Sequence, residues 1–374
     1  MGLLSKVCTI LPRESSGART ANRYSYQQNW AICHALHLYQ TTDDFLIVLE
    51  QHDDVLVLNS EANPKYIDIY QIKTKKEGTW SAKKLLSKKS AKENISIIGK
   101  LYENYLKLGE CSVNSLNVVS NLLFKISLQD KANSLDFEEI PLDKVKENIL
   151  NTFRNEIQNQ LKLPRAASID NLFVLIFSRL SLHDQAQHMK GYIYDFIQNV
   201  NPEKVFITNA LYGALLRIFN KKTLQEFIPT DTISLIENKC ISRNDISRLL
   251  TNALSSEDSG KIWHHFLNRL NNENYPYNKL QKIEDSWRRL ELLTLDISRK
   301  DILALRTSLQ LLLQDVIIGS DLSTFIDNCC SIYKERHSSN SYPDSLIQAA
   351  ILRALYDQRV QLQTSYPESQ EEYA

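Results

Sequence analysis

One segment of this chain, residues 50–76, limits the possible folds more than any other: it reads EQHDDVLVLNSEANPKYIDIYQIKTKK. Two short apolar runs lie on either side of a polar turn, and their pattern predicts two adjacent β-strands. Asp54 begins the first predicted strand, while Gln71 and Lys73 end the second. The segment therefore predicts neighbouring strands whose polar side chains gather at one end.

Antiparallel pairing of these strands would bring Asp54 close to Gln71 and Lys73, because one strand begins where the other ends. Gln71 and Lys73 point to the same face of their strand, about 7 Å apart along it. The Asp54 carboxylate, the Gln71 amide oxygen and the Ile72 carbonyl are hard oxygen ligands that suit Mg²⁺ or Mn²⁺. Such a metal polarises a phosphodiester, and Lys73 can orient the attacking water or offset charge on the transition state. The pattern predicts a metal-dependent nuclease site.

Each of these residues also has a plainer interpretation. Asp54 could be a strand-start cap or a surface acid, and Gln71 and Lys73 could form an ordinary solvent-facing strand end. Glu50 could simply pair with a lysine, and Asp53 is expected to be a surface residue. The isoleucines that precede Gln71 on the same face favour the functional interpretation, because both polar side chains then emerge from a buried face.

The formal net charge of zero gives no sign of nucleic-acid binding, but the charge is unevenly distributed. From Gln71 to Lys92 there are eight lysines and one acidic residue. These lysines could form no more than a solvated loop, yet their position directly after the predicted catalytic strand favours phosphate contact. Trp80 in this run could stack on nucleic acid or anchor the loop. The residues that we expect to contact DNA are Lys75, Lys76, Lys83, Lys84, Arg19, Arg23 and Gln27.

Six cysteines lack the spacing of a metal site or a disulfide framework, which is typical of reduced thiols in a cytosolic protein. The sequence MGLLSKVCTI does not have the pattern of a secretory signal, and no apolar run approaches the length of a membrane span. We therefore expect a cytoplasmic protein without membrane contact.

Strands alternate with helices as far as about residue 200, which predicts an α/β domain built around one mixed sheet with flanking helices. Beyond Pro202 the pattern changes to successive amphipathic helical segments, with no strand signal of comparable strength. We expect a nuclease domain at residues 1–200, an all-α domain for assembly or partner binding at 201–362, and a tail at 363–374.

Three segments in order, GARTANRYSYQQNWAICHAL, FLIVLEQHDDVLVL and YIDIYQIKT, resemble the nuclease domain of the CD-NTase-associated effector endonucleases of bacterial antiphage systems. The resemblance covers about residues 13–200 and implies a PD-(D/E)XK restriction-endonuclease-like fold in its Mrr-like D…QxK form. It matches Tyr26-Gln27 to the family's first helix, Glu50 and Asp54 to its acidic strand pair, and Gln71 and Lys73 to its catalytic strand. It implies Mg²⁺-dependent cleavage of double-stranded DNA in infected cells.

The helical sequence pattern after residue 202 does not resemble the cyclic-oligonucleotide sensor of some family members. It is more similar to relatives encoded beside a HerA-type hexameric ATPase, on which the nuclease assembles. We therefore expect a homo-oligomer controlled by assembly or by such an ATPase. Two alternatives stay open: a catalytically silent scaffold that docks an ATPase, and a nuclease gated by a cyclic oligonucleotide.

Overall fold

The computed structural model describes residues 16–88, 95–169, 171–202, 204, 206–226, 228–254, 259–294, 299–315, 321–337 and 342–365. The chain divides into two compact units. One unit is formed by residues 1–196 with 215–246, and the other by residues 197–214 with 247–374. The functional domains predicted from the sequence, with limits at residues 200 and 362, stay predictions.

The first unit is built around a mixed sheet of seven strands, in the order β5-β6-β4-β3-β2-β1-β7. Its elements in chain order are α1 (Ser16–Thr41), β1 (Leu46–Leu49), β2 (Val55–Leu58), β3 (Ile67–Lys73), α2 (Ala82–Leu86), α3 (Ile97–Leu108), β4 (Val113–Ser120), β5 (Glu139–Pro141), α4 (Glu147–Leu161), β6 (Phe173–Phe177), α5 (Gln185–Val200), α6 (Thr208–Thr223), α7 (Thr232–Lys239) and β7 (Cys240–Ser242). Helices α5 and α6 each extend into the second unit.

The centre of the sheet is parallel and its edges are antiparallel. Strands β3, β4 and β6 run parallel, whereas β2 pairs antiparallel with both β1 and β3. Strands β1 and β2, LIVL and VLVL, are almost entirely apolar and buried. Such uninterrupted apolar strands are typical of a sheet that is covered on both faces.

Helices cover the two faces of this sheet. On one face, Tyr102 of α3 stacks on Phe173 of β6, with 6.5 Å between ring centroids. On the other face, Tyr70 of β3 lies 5.2 Å from Trp30 and 4.7 Å from His34 of α1, measured between ring centroids.

Helix α5 in turn packs on α1, where the Gln185 carboxamide accepts a hydrogen bond from Asn29 at 3.0 Å. These contacts place strand β3 between helices on both faces of the sheet.

The second unit is helical. Its helices are α8 (Arg243–Ala253), which begins in the first unit, α9 (Ser259–Asn272), α10 (Tyr277–Thr294), α11 (Lys300–Asp315), α12 (Leu322–Arg336) and α13 (Asp344–Ser365). Their shared core is rich in leucine and isoleucine and contains Trp263, Trp287 and Tyr333. The described helices include none that is both long and apolar enough to cross a membrane. The cysteines in the described part of the chain are free thiols.

The predicted α/β fold, a mixed sheet flanked by helices and followed by a helical region, is confirmed. The expectation of no strand beyond residue 202 was wrong, because β7 pairs antiparallel with β1 through Ile47 and Ile241. Strand β5, which pairs with β6, was also missed. Both strands have only three residues, so neither shows a measurable alternation, and each depends on pairing with a distant segment.

His34 provides a prediction about the pH dependence of stability. Its ring stacks on Trp30 and packs at a tilt against Tyr70, its Nε2 atom is shielded from solvent, and burial lowers the pKa of His34 to about 3. The unfolded chain binds a proton near the ordinary pKa of 6.5, whereas the folded chain does not. Stability from this residue is thus complete above pH 6.5 and falls as the pH drops towards 3.

We expect the free energy of unfolding to fall by up to about 2 kcal/mol from pH 7.5 to pH 5 through this residue alone. His34→Phe keeps an aromatic ring against Trp30 but cannot bind a proton, so its unfolding midpoint in urea should depend less on pH. Equal pH dependence in the two proteins would contradict this role for His34.

Candidate active site

The pairing of β2 with β3 brings the three predicted residues together. Val55 lies opposite Tyr70 in the antiparallel register. One residue further, immediately before β2, Asp54 lies beside Gln71, and Lys73 follows at the last position of β3. The three residues converge because the two strands are antiparallel. Strand β2 begins at the end of the hairpin where β3 finishes.

One carboxylate oxygen of Asp54 is the centre of this cluster. Asp54 Oδ2 accepts hydrogen bonds from the Gln71 side-chain amide and, at 2.6 Å, from the backbone N–H of Ile72. The Lys73 ammonium lies 3.8 Å from the same oxygen. The described hydrogen bonds leave the other oxygen, Oδ1, without a protein partner. Asp54 is therefore fixed through one oxygen while the second can still bind a ligand.

The cluster lies at the border between core and solvent. Gln71 is 7% exposed, whereas the side chains of Asp54 and Lys73 are 13% and 33% exposed. A partly buried carboxylate that keeps access to solvent is suited to bind a ligand, since electrostatic interactions there are stronger than in bulk water. The cluster is thus built into the sheet but open at its outer end.

Three groups around Asp54 can offer oxygen to a cation. Asp54 Oδ1 is the first. The Ile72 carbonyl is the second: the two backbone polar groups of a strand residue point to the same edge, and the Ile72 N–H already reaches Asp54. The third is Gln71, whose amide nitrogen faces Asp54 in this arrangement; half a turn of the amide would present its oxygen instead.

These donors fit Mg²⁺ better than a softer metal. The described residues contain no cluster of three or more His, Cys, Asp or Glu side chains that could hold a metal ion. Mg²⁺ is commonly bound through one or two carboxylates and otherwise keeps its waters, whereas zinc sites use several nitrogen or sulfur ligands. The chemistry of the donor set is therefore compatible with the predicted cation.

Two further carboxylates lie next to Asp54. Glu50 donates its backbone N–H to the Asp54 carbonyl at 3.2 Å and has a left-handed φ of 50°. Partial burial and the Asp54 charge raise the pKa of Glu50 to about 7, although much of the residue is exposed. Burial, then the Asp54 charge, also raise the pKa of Asp53 to about 7. Asp53 is half-buried and hydrogen-bonded to Asn104 at 3.2 Å, so the expectation of a surface residue was wrong.

The lysines after β3 differ in their surroundings. Lys75 is half-buried and its ammonium lies 3.3 Å from the centroid of the Trp80 ring. Trp80 is only 5% exposed, which makes it a loop anchor rather than a surface wedge. Lys76, Lys83 and Lys84 are exposed. These three exposed lysines form a basic surface that follows β3, the strand that carries Lys73.

The first helix contributes less to this cluster than predicted. Arg23 is exposed and Gln27 half-buried, and no described hydrogen bond or ion pair joins either of them to Asp54 or Lys73. The side chain of Arg19 lies outside the described residues, as do Lys89 and Lys92. Their predicted contacts with DNA stay predictions.

Gln28, which the sequence analysis did not identify, is a buried glutamine of α1. It is 7% exposed and lies near the hydroxyl of Tyr24, four residues earlier on the same helix face. Tyr24 and Glu50 line a polar cavity of about 410 Å³ together with Thr223 and the buried Lys239. The i, i+4 spacing from Tyr24 was the sequence signal that could have identified Gln28.

Comparison with known proteins gives two matches. Residues 15–223 match the model of the Cap4 dsDNA endonuclease domain. The chain is also similar to the Lamassu protein LmuA of Bacillus cereus (strain VD014), at 25% identity over 252 residues, which cover 66% of each chain. This alignment covers just under two thirds of that relative. No solved structure matches the chain.

The segment matched by the family model contains α1, the β2–β3 hairpin and the strands on both sides of it. Asp54, Gln71 and Lys73 all lie within it, and it covers more than half of the chain. The protein therefore belongs to the Cap4 dsDNA endonuclease domain family.

Proposed function

We propose that this protein is a Mg²⁺- or Mn²⁺-dependent endonuclease that cuts double-stranded DNA as an effector of antiphage defence. The observation that carries the proposal is the meeting of Gln71, Ile72 and Lys73 at one oxygen of Asp54, within a chain of this family. We further assign the site to the PD-(D/E)XK superfamily in its D…QxK form, because the aspartate opens one strand and Gln-x-Lys closes the next.

Each residue of the cluster has a distinct proposed role. When bound, Mg²⁺ supplies a Lewis acid for the phosphodiester and a water of lowered pKa. Asp54 would hold the cation through Oδ1, while the Ile72 N–H and the Gln71 amide fix the orientation of its carboxylate. Lys73 provides a positive charge beside the attacked phosphate and offsets the charge that develops in the transition state. Glu50 adds a second acidic group next to Asp54.

DNA binding is assigned to the basic surface that follows β3. Exposed lysines attract the phosphate backbone regardless of sequence, and Lys76, Lys83 and Lys84 are all exposed. Because this surface begins at Lys76, three residues after Lys73, DNA bound there lies against the proposed catalytic cluster. The net charge of zero means that this local surface, and not the total charge, must attract the substrate.

Control of the enzyme is proposed to come from assembly. A nuclease that is constantly active would damage its host's own DNA in the cytoplasm, so a partner or an oligomeric state must restrain it. The helices of the second unit offer faces for contact with further copies of the chain or with a HerA-type hexameric ATPase. The similarity to a Lamassu protein is consistent with a defence role.

The test is cleavage of a supercoiled plasmid by the purified full-length protein, alone and with a HerA-type ATPase and ATP. We expect nicked and linear DNA with Mg²⁺ or Mn²⁺, and loss of cleavage when EDTA removes the metal. Activity that persists in EDTA would contradict the metal-dependent site. Absence of cleavage in every assembly would favour the alternative of a silent scaffold.

A further inference from the structure

Strand β3 is held in place beyond its last residue. Its pairing with β4 ends where Lys73 meets Ser120. Two residues later, the N–H of Lys75 donates to Asn121 Oδ1 at 2.9 Å, and Asn121 Nδ2 donates to the Lys75 carbonyl at 2.8 Å. A carboxamide has the same donor and acceptor as a peptide group, so Asn121 acts as one more rung of the ladder.

This rung matters because strand ends open more easily than strand centres. Lys73 occupies the final position of β3, where local opening would displace its ammonium from Asp54. By binding both backbone groups of Lys75, Asn121 keeps the chain ordered on the far side of Lys73.

Trp80 fixes the Lys75 side chain in a second way. The indole N–H donates to Ser120 Oγ at 2.7 Å, and the backbone of Trp80 bridges to the segment after β4 through Leu123 and Lys125. The indole is therefore buried and held by hydrogen bonds, and the Lys75 ammonium lies 3.3 Å from the ring centroid. A cation held over an aromatic face is attracted to it, which limits the positions open to this flexible side chain.

A second lysine, Lys84, lies near Lys75. The Lys84 ammonium donates to the Thr79 carbonyl at 2.9 Å. Burial, with the nearby Lys84 charge as the second cause, lowers the pKa of Lys75. No carboxylate of the described residues forms an ion pair with either lysine. Two neighbouring positive charges that form no ion pair with an acid of the described residues attract an anion, and a phosphodiester meets that requirement.

We propose that Asn121 and Trp80 are positioning residues that hold Lys75, beside Lys84, as a preset contact for a DNA phosphate next to the one attacked at Lys73. This inference rests on the proposed nuclease function. The two residues after Lys73 extend the chain by about 7 Å, so Lys75 meets a neighbouring phosphate rather than the scissile one.

The chain contains a matched control at the other end of the same strand. Just before β3, Asn59 Oδ1 accepts the N–H groups of Lys65 at 2.8 Å and Tyr66 at 3.1 Å. Asn59 and Lys65 thus mirror Asn121 and Lys75, but they lie at the end of β3 away from Lys73. Alanine at Asn59 or at Asn121 removes two hydrogen bonds to the backbone, so both variants should lose similar stability.

The first arm of the test measures the affinity of a labelled DNA duplex in EDTA at several salt concentrations. Lys75→Ala should reduce the salt dependence of binding by about one phosphate contact, whereas Lys65→Ala should leave it unchanged. Equal slopes for Lys75→Ala and wild type would overturn the proposed phosphate contact. This arm needs no cleavage, so it stays decisive even if the wild-type protein cuts no duplex and the proposed nuclease function fails.

The second arm measures single-turnover cleavage at saturating DNA with Mg²⁺, together with the melting temperature. Asn121→Ala should cleave about tenfold more slowly or worse with nearly unchanged affinity, because opening of the end of β3 would displace the Lys73 ammonium, and a small displacement of a group at the attacked phosphate lowers the rate more than the binding. Trp80→Phe, which keeps a ring but loses the bond to Ser120, should fall between wild type and Asn121→Ala. Asn59→Ala should cleave at the wild-type rate.

Two outcomes would overturn the role of Asn121. One is a folded Asn121→Ala that cleaves as fast as wild type. The other is an equal loss of rate in Asn59→Ala and Asn121→Ala, which would show that both act only through the stability of β3.

Discussion

Asp54→Asn is expected to reduce the rate of DNA cleavage by about a thousandfold or more, because the proposed cation loses its only negatively charged ligand on the hairpin. The asparagine has nearly the same shape and still offers an oxygen to the Ile72 N–H, which lies 2.6 Å from Asp54 Oδ2. The partly exposed ion pair with Lys73 contributes at most about 1 kcal/mol, so the fold should survive. Single-turnover cleavage with Mg²⁺ and thermal unfolding measure the two effects separately.

Asp44→Asn is the control for this substitution. Asp44 is an exposed carboxylate that also braces a loop, since it accepts hydrogen bonds from Ser60 at 2.6 Å and from the Glu61 N–H at 3.2 Å. It lies at the opposite end of the β1–β2 hairpin from Asp54, and its substitution should leave cleavage unchanged. If Asp54→Asn retained more than a tenth of the wild-type rate, Asp54 would not be the essential metal ligand.

Lys73→Met is expected to slow cleavage by about 10²- to 10³-fold, the loss typical of removing one charged or hydrogen-bonding group from a transition state. Methionine keeps most of the length of the side chain but has no charge to place beside the attacked phosphate. The affinity for DNA should change little, because several other lysines lie on the same surface. The rate at saturating DNA and the dissociation constant in EDTA distinguish a loss of chemistry from a loss of binding.

Lys65→Met provides the comparison for Lys73→Met. Lys65 is exposed and lies just before β3, so its substitution removes one charge without touching the cluster. A Lys73→Met protein that binds DNA as poorly as it cleaves would assign Lys73 to substrate binding alone. Equal cleavage rates for the two variants would remove Lys73 from the site altogether.

The centre of the sheet could be predicted because its strands carry their own signal. Strands β2 and β3 are apolar runs next to a polar turn, and antiparallel pairing then brings Asp54 to Gln71 without further information. Strand β7 could not be predicted in the same way. Its three residues become a strand only because β1 offers a free edge almost two hundred residues earlier in the chain.

The supporting residues of the site were harder to predict, because their roles depend on contacts between distant segments. Asp53 accepts a hydrogen bond from Asn104 of α3, which no local pattern predicts. Asn121 has its proposed role only because it binds the backbone of Lys75, a residue 46 positions earlier in the chain. The sequence left open whether Trp80 stacks on nucleic acid or anchors the loop, and its burial together with its bond to Ser120 makes it an anchor. A local sequence pattern identifies the polar residues of one hairpin. It does not identify the residues on other elements that support the hairpin.

The proposed activity depends on a cation held at Asp54, beside Gln71 and Lys73, that promotes cleavage of DNA. The most direct measurement is cleavage of one duplex by the wild-type protein, Asp54→Asn and Lys73→Met, under identical assembly conditions and across a titration of Mg²⁺. We expect wild-type cleavage that rises with Mg²⁺ and saturates, with both variants close to the EDTA background at every concentration. Cleavage by either variant at the wild-type rate, or wild-type cleavage that does not respond to Mg²⁺, would contradict the account.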